Sequence, residues 1–189
     1  MIDNALNTLR TKLNTYFKNL GETTDDKVIY LNEENGGDSA FQLNKVTLVM
    51  VNMEEERTLR QADPYAGQLQ NGVLVGRNPE VRLHLIVMFV ARFGLYEQGI
   101  KSISQIIRFF QAHRIFQQLD TPDLDPDIDR LIVELQTMPI SEQNELWNAF
   151  RSPYFPSVAY RVSLLRYRDE MNMELGAEIQ SIERTLKHS

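Results

Sequence analysis

The sequence predicts a mixed α/β domain of the α+β kind, with a largely antiparallel sheet flanked by helices and an amphipathic helix at the C-terminus. Three observations carry that prediction. Segments with apolar residues every three or four positions recur along the chain, as helices with one buried stripe require. Between them lie short runs rich in Val, Ile and Leu, and these are bounded by Gly, Pro, Asn and Asp. The run LHLIVMFVA (Leu83 to Ala91) sits between Arg82 and Arg92, apolar on both faces in its middle and charged at its ends, as a doubly covered central strand would be.

Each element follows from its own pattern. Residues 2–20 place Ile2, Leu6, Leu9, Leu13, Tyr16, Phe17 and Leu20 on one helical stripe, with Asp3 as a cap and Gly21 as a stop. KVIYL (27–31) reads as a short strand and NGG (35–37) as a turn. Residues 45–56 and 81–92 are the two best strands. The turn-rich segment between them is long enough to suggest function, and Val73, Leu74 and Val75 within it form a small strand and hence a projecting hairpin. Residues 95–113 return to helical spacing through Ile100, Ile103, Ile106, Ile107 and Phe110. RLIVELQ (130–136) is a strand, and Ser141 caps a helix ending near Phe150. SPYFP (152–156) is a stiff connector, 157–167 a strand, and 169–189 a helix through Leu175, Ile179, Ile182 and Leu186.

Composition narrows the functions. The 189 residues suit one domain, or one domain with an appendage. Hydrophobic residues at 42% and charged residues at 24% are those of an ordinary globular protein. A formal charge of −6 and the lack of a basic stretch with interleaved aromatics argue against nucleic acid as a partner. There is no cysteine, so disulfides and thiolate catalysis are excluded. The N-terminus, MIDNALNTLR, has neither the basic start nor the apolar core of a secretory signal. The run at Leu83 to Ala91 is about half of what a bilayer-spanning helix needs, so no membrane partner is expected.

Familiar catalytic patterns are missing. In DLDPDID, taking Asp123 as position one puts Asp125, Asp127 and Glu134 where a calcium loop needs oxygen ligands. The obligatory glycine of position six is Ile128, however, and Pro126 stiffens the middle. His84, His113 and His188 are scattered without ligand spacing. Gly67 and Gly72 have phosphate-loop separation, but Val73 and Leu74 stand where Lys and Ser or Thr belong. No G-x-S-x-G elbow occurs. We therefore expect no enzyme, no catalytic residues, no metal and no cofactor.

The segment EEERTLR (Glu54 to Arg60) admits three readings. Glu54 and Glu56 project from one strand face and could share a proton as a catalytic pair. Alternatively, the charges solvate an exposed strand end. In the third reading, the carboxylates and the guanidiniums of Arg57 and Arg60 are self-complementary across a subunit interface. Periodicity does not choose among them.

NMEEERTLR (52–60) resembles a signature of the cap, or tail-terminator, proteins of extracellular contractile injection systems, the phage-tail-like particles of the antifeeding-prophage and Photorhabdus virulence cassette type. Further blocks at 78–116, 131–150 and 152–165 (SPYFPSVAYRVSLL) fit the same family in order. The resemblance implies a phage tail-terminator-like fold over residues 1–168; residues 169–189 lie outside it and stand as a helical extension. It also implies a ring, six-membered in the family, that ends the inner tube and engages the last layer of sheath. Expected partners are thus further copies of itself, the inner tube protein and the sheath protein. Synthesis in a bacterial cytoplasm, followed by assembly into a particle that can be released, belongs to the same expectation. The expected subunit or tube contact comprises Glu54, Glu55, Glu56, Arg57, Thr58, Leu59 and Arg60, with Tyr65 and Arg77 from the loop that follows. Two other classes stand beside the cap: a monomeric adaptor taking a peptide at a sheet edge, and a carboxylate- or metal-dependent enzyme using Glu54 and Glu56 or the Asp123–Asp129 loop.

Overall fold

The computed structural model describes residues 1–31, 41–56, 68–70, 73–76, 81–167 and 173–174. The chain divides into two compact units, one of residues 1–56 with 81–167 and one of residues 57–80 with 168–189.

In the first unit, α1 (Ile2–Asn19) buries Ala5, Leu9, Leu13 and Phe17 on one stripe, as its 3.6-residue spacing requires. Gly21 ends it at a φ of +70°. The Gly21 and Glu22 amides bond the Lys18 and Phe17 carbonyls at 3.0 and 3.4 Å, closing the helix in a Schellman turn. The Asn14 side chain then does a strand's work. Its amide donates to the Val28 carbonyl at 2.9 Å, and its carbonyl accepts from the Val28 amide at 2.7 Å. That clips α1 to β1 (Val28–Tyr30).

Next come β2 (Lys45–Glu55), β3 (Gln68–Gln70), β4 (Val73–Gly76) and β5 (Val81–Arg92). They are followed by α2 (Tyr96–Ala112), β6 (Ile115–Gln117) and β7 (Arg130–Gln136). The chain continues through α3 (Ile140–Ala149), β8 (Ser157–Tyr167) and β9 (Met173–Glu174). Six strands form one sheet in the order β1-β2-β5-β8-β7-β6, antiparallel except for the parallel pair β1 and β2. Both α1 and α2 pack on one face. There Leu85, Val87, Phe89 and Ala91 of β5 meet Leu9, Leu13, Ile106 and Phe110. On the other face Met88 and Val90 meet Trp147 of α3 and Phe41, with Phe150 and Phe155 packed at the margin. Strand β5 is therefore covered on both sides, as its sequence predicts. Close approach on the helical side is set by Gly99, where a Cβ would come within 3.2 Å of the Pro156 ring in the stiff SPYFP connector.

In the second unit, β3 and β4 pair antiparallel with Leu69 opposite Leu74, and β9 adds to β4 with Val75 opposite Glu174. The small strand expected at Val73–Val75 is there, paired as a hairpin with β3. Residues 173–174 fall within the expected C-terminal helix but are a strand. The periodic run begins only at Leu175, and the edge of β4 supplies main-chain partners that outweigh the helix propensity of Met and Glu. The rest of that helix, 169–172 and 175–189, lies outside the described residues.

Three further differences are local. Helix α3 is capped by Pro139 rather than Ser141, which falls in the first turn. Ile100, expected on the buried stripe of α2, is 44% exposed, and the stripe runs instead through Gly99, Ser102, Ile103, Ile106, Phe109 and Phe110. Strand β6 carries only three residues, too few for a periodic signal.

Glu22 ties the end of α1 to α2 and to the residue before β1. Its carboxylate meets Lys27 at 2.7 Å, Lys101 at 2.8 Å and the Gln105 amide at 2.6 Å. Burial works against the charge, but these donors overcome it and hold the carboxyl at about 2, below its ordinary 4.5. The folded pKa is depressed, so the contribution is complete above pH 4.5 and disappears as pH falls through 2. Urea unfolding of Glu22→Gln should show a loss of about 1–3 kcal/mol at neutral pH that shrinks steadily below pH 4.5. A second check concerns Arg151, which closes α3 at a φ of +50°. Arg151→Gly removes the Cβ from a left-handed position and should add up to about 1 kcal/mol in the same assay.

Candidate functional site

Strand β2 contains a bulge that decides where its acids point. Its pairing with β5 runs in register from Lys45 to Met50 and resumes at Asn52 opposite Ile86, leaving Val51 as the extra residue. Strict alternation from the buried Val49 would send Asn52 and Glu54 to the face covered by α1 and α2. The bulge reverses this. Asn52 and Glu54 lie opposite Ile86 and His84, on the α3 side of the sheet, and Met53 and Glu55 lie opposite Leu85 and Leu83 on the helical side. The ladder continues one residue further, with the Glu56 amide donating to the Arg82 carbonyl at 2.8 Å.

Glu54 and Glu56 thus share a face, as the sequence suggests, and each takes a partner. The Asn52 amide donates to Glu54 at 2.9 Å. Glu56 Oε2 lies 2.6 Å from His84 Nε2, and His84 Nδ1 lies 2.8 Å from Ser163 Oγ on β8. With the Nε2 proton donated to the carboxylate, Nδ1 accepts the serine hydroxyl, and every group of the relay is paired. The acid, base and hydroxyl come from three adjacent strands. They are separated by 28 and 79 positions in sequence, so no local motif marks them.

A carboxylate, an imidazole and a serine in series raise the question of nucleophilic catalysis. Ser163 is 7% exposed in the middle of a strand whose neighbours on both sides are paired. Two surface concavities are lined by residues of α1, α2 and the loops beside them, and neither includes Glu56, His84 or Ser163. A hydroxyl buried between two paired strands suits a polar strut between β2, β5 and β8 better than a nucleophile.

The DLDPDID loop has structural employment. Leu124 and Ile128 are buried at 2% and 1% exposure, so the residue where a calcium loop needs glycine is a core side chain. Asp125 accepts the Asp127 amide at 3.1 Å and the N-terminal ammonium at 3.0 Å, and its carboxyl is held low by these two bonds. Among the described residues no group of three or more His, Asp and Glu side chains converges on a metal-sized space. His113 stacks on Phe109 with ring centroids 4.6 Å apart and contacts that residue's carbonyl. Among the described residues no helix is long and apolar enough to cross a membrane.

Of the expected contact residues, the structure places Glu54 and Glu55 at the exposed end of β2 and Glu56 against His84. Arg57, Thr58, Leu59, Arg60, Tyr65 and Arg77 lie outside the described residues, as does His188. His84 and Ser163 are partners that sequence reasoning missed. The available signal was a histidine in an otherwise apolar strand centre, which needs a polar neighbour.

The six-stranded sheet with its helices is the fold of phage-tail-like tube terminators. Over its whole length the chain superimposes on a cryo-EM structure described as the sheath/tube terminator of an extracellular contractile injection system, PVC, in the extended state, with a TM-score of 0.60 and 14% identity. Over 98% of its length it superimposes on the cryo-EM structure of the anti-feeding prophage cap, the AFP tube terminating cap, with a TM-score of 0.58 and 15% identity. The chain spans 65% and 61% of those two proteins, under two thirds of each. No curated protein matches its sequence. Residues 5–180 match the family described as the Pvc16 N-terminal domain, and the chain belongs to that family.

The strut makes a definite expectation. Ser163→Ala should cost about 0.5–1.5 kcal/mol in urea unfolding, because a part-buried imidazole nitrogen loses its donor. Background hydrolysis of p-nitrophenyl acetate should be unchanged, and a collapse of that hydrolysis in the variant would instead mark Ser163 as a nucleophile.

Proposed function

We propose that this chain is a structural cap of a contractile injection particle. In this reading it forms a ring, six-membered like the tube it ends, sits on the last layer of the inner tube and engages the last layer of sheath. Its partners are other copies of itself, the tube protein and the sheath protein. It acts without a reaction centre. The particle is assembled in a bacterial cytoplasm and can leave the cell. Residues 1–168 form the capping domain and 169–189 an extension that docks on a neighbour or on its own sheet.

The observation that carries the reading is the family match over residues 5–180, which agrees with the likeness over the full chain to a sheath/tube terminator. The physics of the task also suits what the fold offers. A tube of stacked rings is an open heterologous assembly in which each top matches the next bottom, so growth does not end by itself. A terminator needs one face that matches the tube and another that refuses it, held on a rigid frame. The contact assigned here comprises Glu54, Glu55, Glu56, Arg57, Thr58, Leu59 and Arg60, with Tyr65 and Arg77.

The test is tube length. Purified tube protein polymerised with rising amounts of this chain should give progressively shorter tubes in electron micrographs, with added density at one end. A length distribution indifferent to the chain would contradict the proposal. Arg57→Glu should keep the wild-type melting temperature and let the tubes lengthen again.

A further inference from the structure

A concavity of about 390 Å³, the size of a small-ligand site, opens where the turn after α1 meets the start of β2 and the first turns of α2. Lys27, Lys45 and Lys101 line it, and among the described residues Glu22 is the one carboxylate that does so. Three ammonium groups against one carboxylate leave a surplus of two positive charges, in a chain whose formal charge is −6.

Neighbouring acids do not cancel that surplus. Both Glu22 oxygens are occupied, Oε2 by Lys27 at 2.7 Å, and Oε1 by Lys101 at 2.8 Å and the Gln105 amide at 2.6 Å. The Asp26 carboxylate is taken by Lys18 at 2.8 Å and Arg10 at 3.3 Å. Lys45 is left with a neutral partner, the Asp26 main-chain carbonyl at 2.6 Å. Lys27 cannot swing away into water, because it is only 13% exposed and sits over the Phe17 ring at 4.4 Å. Uncharged donors line the same space. The side-chain amides of Asn44 and Gln98 donate to no group among the described residues. Asn44 is fixed there at a φ of +60°, with its main-chain amide on the Arg92 carbonyl at 2.7 Å.

We infer that this concavity binds a phosphate group. A phosphate dianion balances the surplus of two, and its oxygens accept from ammonium and amide donors on several sides at once. A carboxylate or a phosphodiester brings a single charge and would leave half of the surplus standing, so the fit is to free phosphate or a phosphate monoester. The donors come from the residue before β1, the start of β2 and the first turns of α2. A bound phosphate therefore ties these three elements together and stabilises the fold by mass action. The inference stands apart from the capping role and does not depend on it.

The probe is inorganic phosphate, added to the full chain near neutral pH, with sodium chloride of equal ionic strength as the reference. Phosphate at about 10 mM should raise the melting temperature by at least about 2 °C over the reference. Calorimetric titration should give one site per chain. Lys45→Gln and Lys101→Gln should each weaken phosphate binding at least about tenfold. Lys101 is 68% exposed, so its variant tests the site even if Lys45→Gln fails to fold. Lys12→Gln removes the same charge outside this concavity and should leave the affinity within about twofold. Phenyl phosphate bound as tightly as phosphate supports a phosphate carried on a larger molecule, and its exclusion supports the free ion. No effect of phosphate beyond that of chloride, or equal weakening by all three substitutions, overturns the inference.

Discussion

The burial of β5 on both faces is the constraint from which the rest of the structure follows. A strand in the middle of an antiparallel sheet that is apolar on both sides has to be covered twice. Helices α1 and α2 meet that need on one face, and α3 with Phe41 meets it on the other. Both neighbours, β2 and β8, pair with it over most of their length. The result is a frame that resists bending, and what the frame displays at its margins can be positioned without being packed.

That frame also accounts for the polar relay in the centre. His84 is the polar exception among the inner residues of β5, and a part-buried imidazole without partners would cost more than a satisfied one contributes. The bulge in β2 supplies Glu56, and β8 supplies Ser163. One inserted residue therefore completes the relay on one face and places Met53 and Glu55 on the other. The same device serves stability inside and surface composition outside. A serine held at 7% exposure between two paired strands is poorly placed to meet a substrate.

Much of this was legible in the sequence wherever the signal was long and periodic. The bounds of β5, β7 and β8 follow from their apolar runs, and α1 and α2 follow from theirs to within a residue or two. Gly21 was legible because a left-handed helix end has few other solutions. Less visible was whatever depends on partners far apart in the chain. The β2 bulge leaves no mark in a run of alternating residues, so the sequence let Glu54 and Glu56 share a face without saying which face, or that Glu56 is the polar neighbour His84 needs. Strand β9 depends on the edge that β4 lends it, and β6 on the edge of β7. In the acidic loop the aspartates dominate the pattern, although Leu124 and Ile128 between them are core residues. The grouping of Lys27, Lys45 and Lys101 was not legible, because they line one concavity only once α2 is packed against the sheet.

In the proposed reading the protein works by the surfaces it holds in place. The most direct test is a cryo-EM reconstruction of the end of an assembled particle containing this chain. The account expects a closed ring of copies seated on the last tube layer, each copy keeping the six-stranded frame intact. A map in which the tube ends bare, with this chain absent or bound as a single copy elsewhere on the particle, would contradict it.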